Sequence, residues 1–312
     1  MPCKKTSIGG QAVIEGIVMK GPQKSALAVR AKNGEIDLEY LPFKSVREKF
    51  PILKLPVLRG IVSFVEAMID GYKSIMLAAE KSGFLDEEEI QKEKEKSSGA
   101  TGVIMTIGTV LGVVLAVALF MWIPAVLFNL LNSAFGGNIA NLRSLFEGII
   151  KIAVLVIYMF AVSYMKDIHR VFQYHGAEHK TIFAYEAGLE LTVENCRKMK
   201  RFHPRCGTSF LILMLIVNIV LTGIISTAFP ALAANTAIWV GVKMLMLPII
   251  CGLGFELIRL NGRYDNMFTR ILSAPGMWLQ HISTAEPEDD MLEIAIAAMK
   301  AVIPEDSEAD RW

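Results

Sequence analysis

Four long stretches of the chain are built almost wholly of apolar side chains. Thr101–Leu131 has no ionisable group, Gly148–Met165 only Lys151, Phe210–Phe229 none, and Thr236–Leu257 only Lys243 and Glu256. About 20 apolar residues carry a helix across the hydrocarbon core, and none of these blocks alternates as a barrel strand would. The pattern predicts four membrane-spanning helices. Ahead of them the period shortens. Residues 7–43 predict a small unit of three β-strands, with glycine-rich SIGGQAVIEGIVMKGPQ first, then SALAVRA and EIDLEYLPF joined at Asn33-Gly34, a strong hairpin signal. From Pro56 to Lys81, Ile61, Val65, Met68, Tyr72, Ile75 and Ala79 recur at three and four, predicting an amphipathic helix. Its apolar stripe is expected on the membrane surface or over the β unit.

These elements divide the 312 residues into four regions. Residues 1–55 form the β-rich unit, and 56–100 the amphipathic helix with a charged linker, LDEEEIQKEKEKSSGA. Residues 101–258 form the membrane domain, with a loop at 166–209, and 259–312 are expected to be a soluble C-terminal segment. The fold class is a mainly α, polytopic membrane protein with a small N-terminal β unit. No internal repeat marks a transporter built from duplicated halves.

Charge then sets the orientation. Asn132–Glu147 has one basic residue, Arg143, and Pro230–Asn235 none. Lys166, Arg170, Lys180, Arg197, Lys198, Lys200, Arg201 and Arg205 crowd the segment between the second and third blocks. By the positive-inside rule both termini and that segment lie in the cytoplasm of a cell membrane. The N-terminal Lys4-Lys5 leads into polar residues, so no signal peptide is expected. Cys3, Cys196, Cys206 and Cys251 fall on that side or at its edge and are expected to stay reduced. Lys243, less than halfway into the fourth block, is expected to snorkel outward, and Asn218 to bond neighbouring helices. A net charge of +1 and a mean hydropathy of +0.43 point away from nucleic acid and toward lipid as the partner.

The candidate chemistry gathers at the cytoplasmic ends. YHGAEHKTI, just after the second block, places His175, Glu178 and His179 at i, i+3 and i+4 on one helix face. H-x-x-E-H is the arrangement in which two imidazoles hold zinc and the glutamate acts as general base. Immediately before the third block, HPRCGT offers His203 and Cys206, whose imidazole and thiolate suit zinc. Glu256, ionisable at membrane depth near the end of the fourth block, is either a further ligand or paired with Arg259. Read without a metal, Cys206 among Arg201, His203 and Arg205 is a candidate nucleophile. Read without chemistry, HPRC is a basic loop capped by Thr208 or Ser209. Glu15, flanked by glycines, is a candidate to close over the site. His169 and His281 read as surface histidines.

GGQAVIEGIVMKGP, YHGAEHKTI, FHPRCGTSFL and the GFE of the fourth block together resemble the YqhQ-like family of bacterial multi-pass membrane proteins, along nearly the whole chain. The resemblance implies a metal-dependent enzyme with His175, Glu178, His179, His203 and Cys206 as its polar signature, and leaves His281 outside. The residues therefore predict a membrane metalloenzyme with a divalent ion, zinc by preference. Its ligands come from His175, His179, His203, Cys206 and Glu256, with Glu178 as base. Its substrate would be an ester or amide in a lipid or membrane-associated peptide. Two other readings stay open: an assembly or regulatory protein stapled by a closed zinc site, and a transporter lined by Lys243, Asn218 and Glu256.

Overall fold

The computed structural model describes residues 5–42, 45–84, 110–264, 266–306 and 309–310. Cys3, the whole charged linker and residues 101–109 of the first apolar block lie outside them. The β unit has four strands rather than three: β1 (Gly9–Val13), β2 (Gly16–Lys20), β3 (Ser25–Arg30) and β4 (Ile36–Leu41), an antiparallel meander in chain order. The extra strand arises because Ile14-Glu15 closes a two-residue hairpin, pairing Val13 with Gly16. Glu15 adopts φ +50°, a backbone state that costs a non-glycine residue energy. Its carboxylate is gripped by Arg170 Nε at 2.5 Å and Nη2 at 2.6 Å, and by the Tyr174 hydroxyl at 3.2 Å, which offsets that cost. The hairpin at Asn33-Gly34 forms as expected, with Gly34 at φ +83°.

Alternation along the strands gives the sheet two apolar faces. Val13, Val18, Leu27 and Val29 meet Ala78 of helix α1 (Leu58–Ser82). Ile17, Met19, Ala26 and Ala28 meet helices α4 (Lys166–Glu186) and α10 (Asp289–Val302), with Tyr174, Ala177, Met291, Ile294 and Ala298 among the buried contacts. The stripe expected on α1 does not cover the sheet. The helix buries Gly60, Gly71, Ser74, Ala78 and Ala79 and leaves Val65, Met68, Tyr72 and Ile75 exposed. Close approach decides this: a Cβ on Gly60 would sit 2.8 Å from the carbonyl oxygen of Gly252.

Four helices are long and apolar enough to cross a membrane: α2 (Val110–Ala134), α3 (Ala140–Ser163, regular from Arg143), α6 (Gly207–Ala228) and α8 (Thr236–Arg263). The chain is a membrane protein of mainly α architecture. α6 packs against α3 and α8 and against helix α9 (Met267–Ser283). The second span begins before Gly148, so Arg143 and Glu147 belong to it and the preceding loop shrinks. Lys243 does not snorkel; it is fully buried and ion-paired with Glu147. Asn218 accepts a hydrogen bond from Lys151 at 2.7 Å, the inter-helix role expected of it. The segment at 166–209 is largely helical, comprising α4 and the short α5 (Val193–Arg197); the short α7 (Pro230–Ala234) joins α6 to α8. In α9, Thr269, Ser273, Gly276, Gln280 and Ser283 are buried while Met267, Phe268, Ile271 and Trp278 are exposed.

Candidate metal centre

α4 carries His175, Glu178 and His179 on one face, as their spacing requires, with the two imidazole centroids 4.4 Å apart. Cys206 is the N-cap of α6, and its sulfur, rather than Thr208 or Ser209, accepts the Thr208 N–H at 3.4 Å. One ligand atom each from His175, His179 and Cys206 lies within 4.8 Å of the others.

The imidazoles are held by backbone carbonyls. His175 Nδ1 donates to the Ser283 carbonyl at 2.8 Å, and His179 Nδ1 to that of Arg201 at 2.5 Å. A carbonyl oxygen can only accept, so both rings carry the proton on Nδ1 and turn Nε2 inward. His175 Nε2 already meets Cys206 Sγ at 3.1 Å.

Glycines permit this closeness. A Cβ on Gly176 would lie 2.1 Å from the Ala285 carbonyl oxygen, in the segment that brings Ser283 over His175. A Cβ on Gly10 would lie 2.9 Å from Glu178 Cδ. The Gly10 N–H instead donates to the Glu178 carboxylate, so β1 roofs the site. Glu178 is 5% exposed, and its Oε2 has no hydrogen-bond partner among the described residues.

The electrostatics follow from burial and contact. Burial pushes the Cys206 thiol up, but His175 and His179 outweigh it and hold it well below its usual range, aided by its place at a helix N-terminus. Burial pushes His175 down, but the Cys206 sulfur and then Glu178 prevail and hold it at about 9. Burial raises the Glu178 carboxyl against the pull of the two histidines.

The other sequence candidates lie outside the three-ligand group, although the His203 ring is only 5.5 Å from that of His179, centroid to centroid. His203 is buried, with Nε2 3.8 Å from Glu186 Oε2 and its Nδ1 accepting the Arg205 N–H at 3.3 Å. Burial lowers its pKa, with Glu186 opposing. Gln280 clasps its backbone from both sides, donating to the His203 carbonyl at 2.8 Å and accepting its N–H at 2.7 Å. Glu256 is bound by Arg59, not Arg259, through Arg59 Nε at 2.6 Å and a second, shorter contact. Glu15 grips α4 at Arg170 and Tyr174, five residues and one residue before His175, and Arg170 holds its carboxyl below the usual range. His169 is exposed, and so is His281, whose ring stacks on Phe202. The anchoring carbonyls of Ser283 and Arg201 are backbone groups and leave no trace in residue type.

The donor set suits zinc: one thiolate and two imidazoles with fixed tautomers, a combination of soft and borderline ligands. In tetrahedral zinc sites such ligands stand about 2.0–2.3 Å from the ion, compatible with the spacing of the group. Residues 55–305 match the sequence model of a family described as "Protein of unknown function (DUF1385)". The chain is 33% identical over 301 residues to the "Uncharacterized protein YqhQ" of Bacillus subtilis (strain 168), covering 95% of this chain and 92% of that one. No solved structure matches. The chain belongs to the DUF1385 family.

Proposed function

We propose that this DUF1385 chain is a zinc-dependent hydrolase of the cytoplasmic membrane, acting on an ester or amide bond in a lipid or membrane-associated peptide. The observation that carries the reading is the paired carbonyl anchoring of His175 and His179, which aims both Nε2 atoms at the Cys206 sulfur. Three protein ligands leave a coordination position open, as catalytic zinc sites do, and His203 is engaged elsewhere. When bound, the ion supplies Lewis-acid polarisation of a carbonyl or of an attacking water. Glu178 Oε2, without another partner among the described residues, would take a proton from an attacking water and return it to the leaving alkoxide or amine. Its raised pKa suits both transfers, and the Gly10 N–H keeps the carboxylate aimed. The basic residues flanking the spans put the site and both termini on the cytoplasmic side.

A second reading has its own support. His179 and Cys206 are 1% and 6% exposed, and such burial favours a structural zinc staple in an assembly or regulatory protein. Metal analysis of the detergent-purified protein, with Glu178→Gln and His179→Ala beside it, separates the two. The enzyme reading expects Glu178→Gln to keep stoichiometric zinc and fold while losing the cellular phenotype of the gene. Full function in Glu178→Gln with collapse of His179→Ala supports the staple. Wild-type protein without stoichiometric metal sinks both.

A further inference from the structure

A second group of ionisable side chains lies inside the bundle, in the half away from the metal centre. Arg143, Glu147 and Lys151 follow one another at four-residue spacing on α3, and Lys243 faces them from α8. None is more than 5% exposed. Arg143 opens the regular part of α3 and Lys151 lies two turns further in, about 12 Å along the axis. The group therefore reaches from the membrane boundary well into the apolar layer.

The charges do not balance. Three cations surround one carboxylate among the described residues, an excess of two positive charges at a depth where an uncompensated charge is expensive. Glu147 is already shared. Its Oε1 accepts from Arg143 Nε at 2.9 Å, Trp239 Nε1 reaches its two oxygens at 3.2 and 3.3 Å, and Lys243 pairs with Oε2. Lys151 has the Asn218 amide oxygen at 2.7 Å, which is neutral. Arg143 Nη1 donates to the Ala233 carbonyl, whereas its Nη2, also buried, finds no hydrogen-bond acceptor among the described residues. Arg143 and Lys243 both lie over the Trp239 indole, 5.7 and 5.3 Å from its centroid.

A guanidinium does not shed its proton in a protein, so loss of a proton from a lysine would leave Arg143 Nη2 unsatisfied. A small anion satisfies that donor, gives the Lys243 ammonium a second partner beside Glu147 and offsets the excess charge. We propose that Arg143 and Lys243 form an intramembrane site for a small inorganic anion of the halide class, with Lys151 adding to the attraction and the Trp239 indole alongside as a reporter. The site is independent of the zinc reading, since none of its residues touches α4 or Cys206.

The test compares purified protein in sodium chloride, bromide and gluconate at equal ionic strength, gluconate being too large for a packed interior. Binding raises Tm with saturating halide, by roughly 4 °C at a hundredfold excess over Kd. Lys243→Met abolishes this halide dependence and Lys243→Arg keeps it. Iodide quenches Trp239 saturably, read as the difference between wild type and Trp239→Phe. Should Lys243→Met not fold, the Lys243→Arg melting series and the wild-type quenching still decide. Equal Tm in chloride and gluconate, or a halide effect unchanged by Lys243→Met, or an indole untouched by iodide, overturns the proposal.

Discussion

Gly176→Ala sets helix propensity against tertiary contact, and the structure says which wins. Residue 176 lies inside α4, where alanine is favoured over glycine by about 1 kcal/mol. Here the added Cβ would sit 2.1 Å from the Ala285 carbonyl oxygen, whereas ordinary contact begins at 3.4 Å. The obstacle is backbone, and it is pinned: the Ala285 N–H donates to the Phe172 carbonyl of the same helix at 2.8 Å. Overpacking of this kind costs about 3 kcal/mol or more, so the net loss is about 2 kcal/mol. That lowers Tm by roughly 3 °C. The displaced segment also carries the Ser283 carbonyl that orients His175. Disturbing such a support weakens metal affinity by about 10–100-fold. Thermal melting and zinc competition against a chelator read the two effects. Gly241→Ala in α8, where a new Cβ meets nothing within 4 Å, is the control and should be neutral or stabilising by up to about 1 kcal/mol. Wild-type Tm and zinc affinity in Gly176→Ala would refute the close-approach argument.

Three further outcomes are expected. Cys206→Ser keeps a good helix cap but loses the thiolate, so bound zinc should fall at least tenfold while the circular dichroism of the helices is unchanged; retained stoichiometric zinc would remove Cys206 from the shell. In the metal-free protein His175 is held at about 9, above its ordinary value, so below that pH a proton must leave before Nε2 can bind metal. Zinc affinity should therefore climb with pH, by about tenfold per unit for one displaced proton, and flatten near pH 9, a profile that isothermal titration at stepped pH checks. In the metal-free fold the same raised pKa contributes stability in full below the ordinary histidine value and loses it as pH rises through about 9. Glu256→Gln breaks the bond with Arg59 but leaves the three ligands intact, so zinc content should match wild type; its loss would return Glu256 to the ligand set.

Much of the architecture is legible in residue order. Long apolar blocks admit few alternatives to membrane helices, because unpaired backbone groups are not tolerated in lipid. The i, i+4 spacing of His175 and His179 places them on one face of any helix, and the family resemblance agrees with the DUF1385 match over residues 55–305 and with the Bacillus subtilis relative over 95% of the chain. Misreadings cluster where a long-range partner overrode a local pattern. Glu15 turns a would-be single strand into a hairpin because Arg170 waits across the chain. Lys243 stays inside because Glu147, which the charge pattern assigned to a loop, folds into the span beside it.

The sequence by itself determined the spans, the sheet, and the kinds of side chain that can meet at the membrane edge. Only the tertiary structure decided which of them meet. His203 goes to Glu186, Glu256 to Arg59, and Cys206 to the two histidines of α4. The reason is physical: helix period and hydropathy are encoded residue by residue, whereas the tautomer of each imidazole depends on the Ser283 and Arg201 carbonyls. Every residue carries such a carbonyl, and only folding aims it.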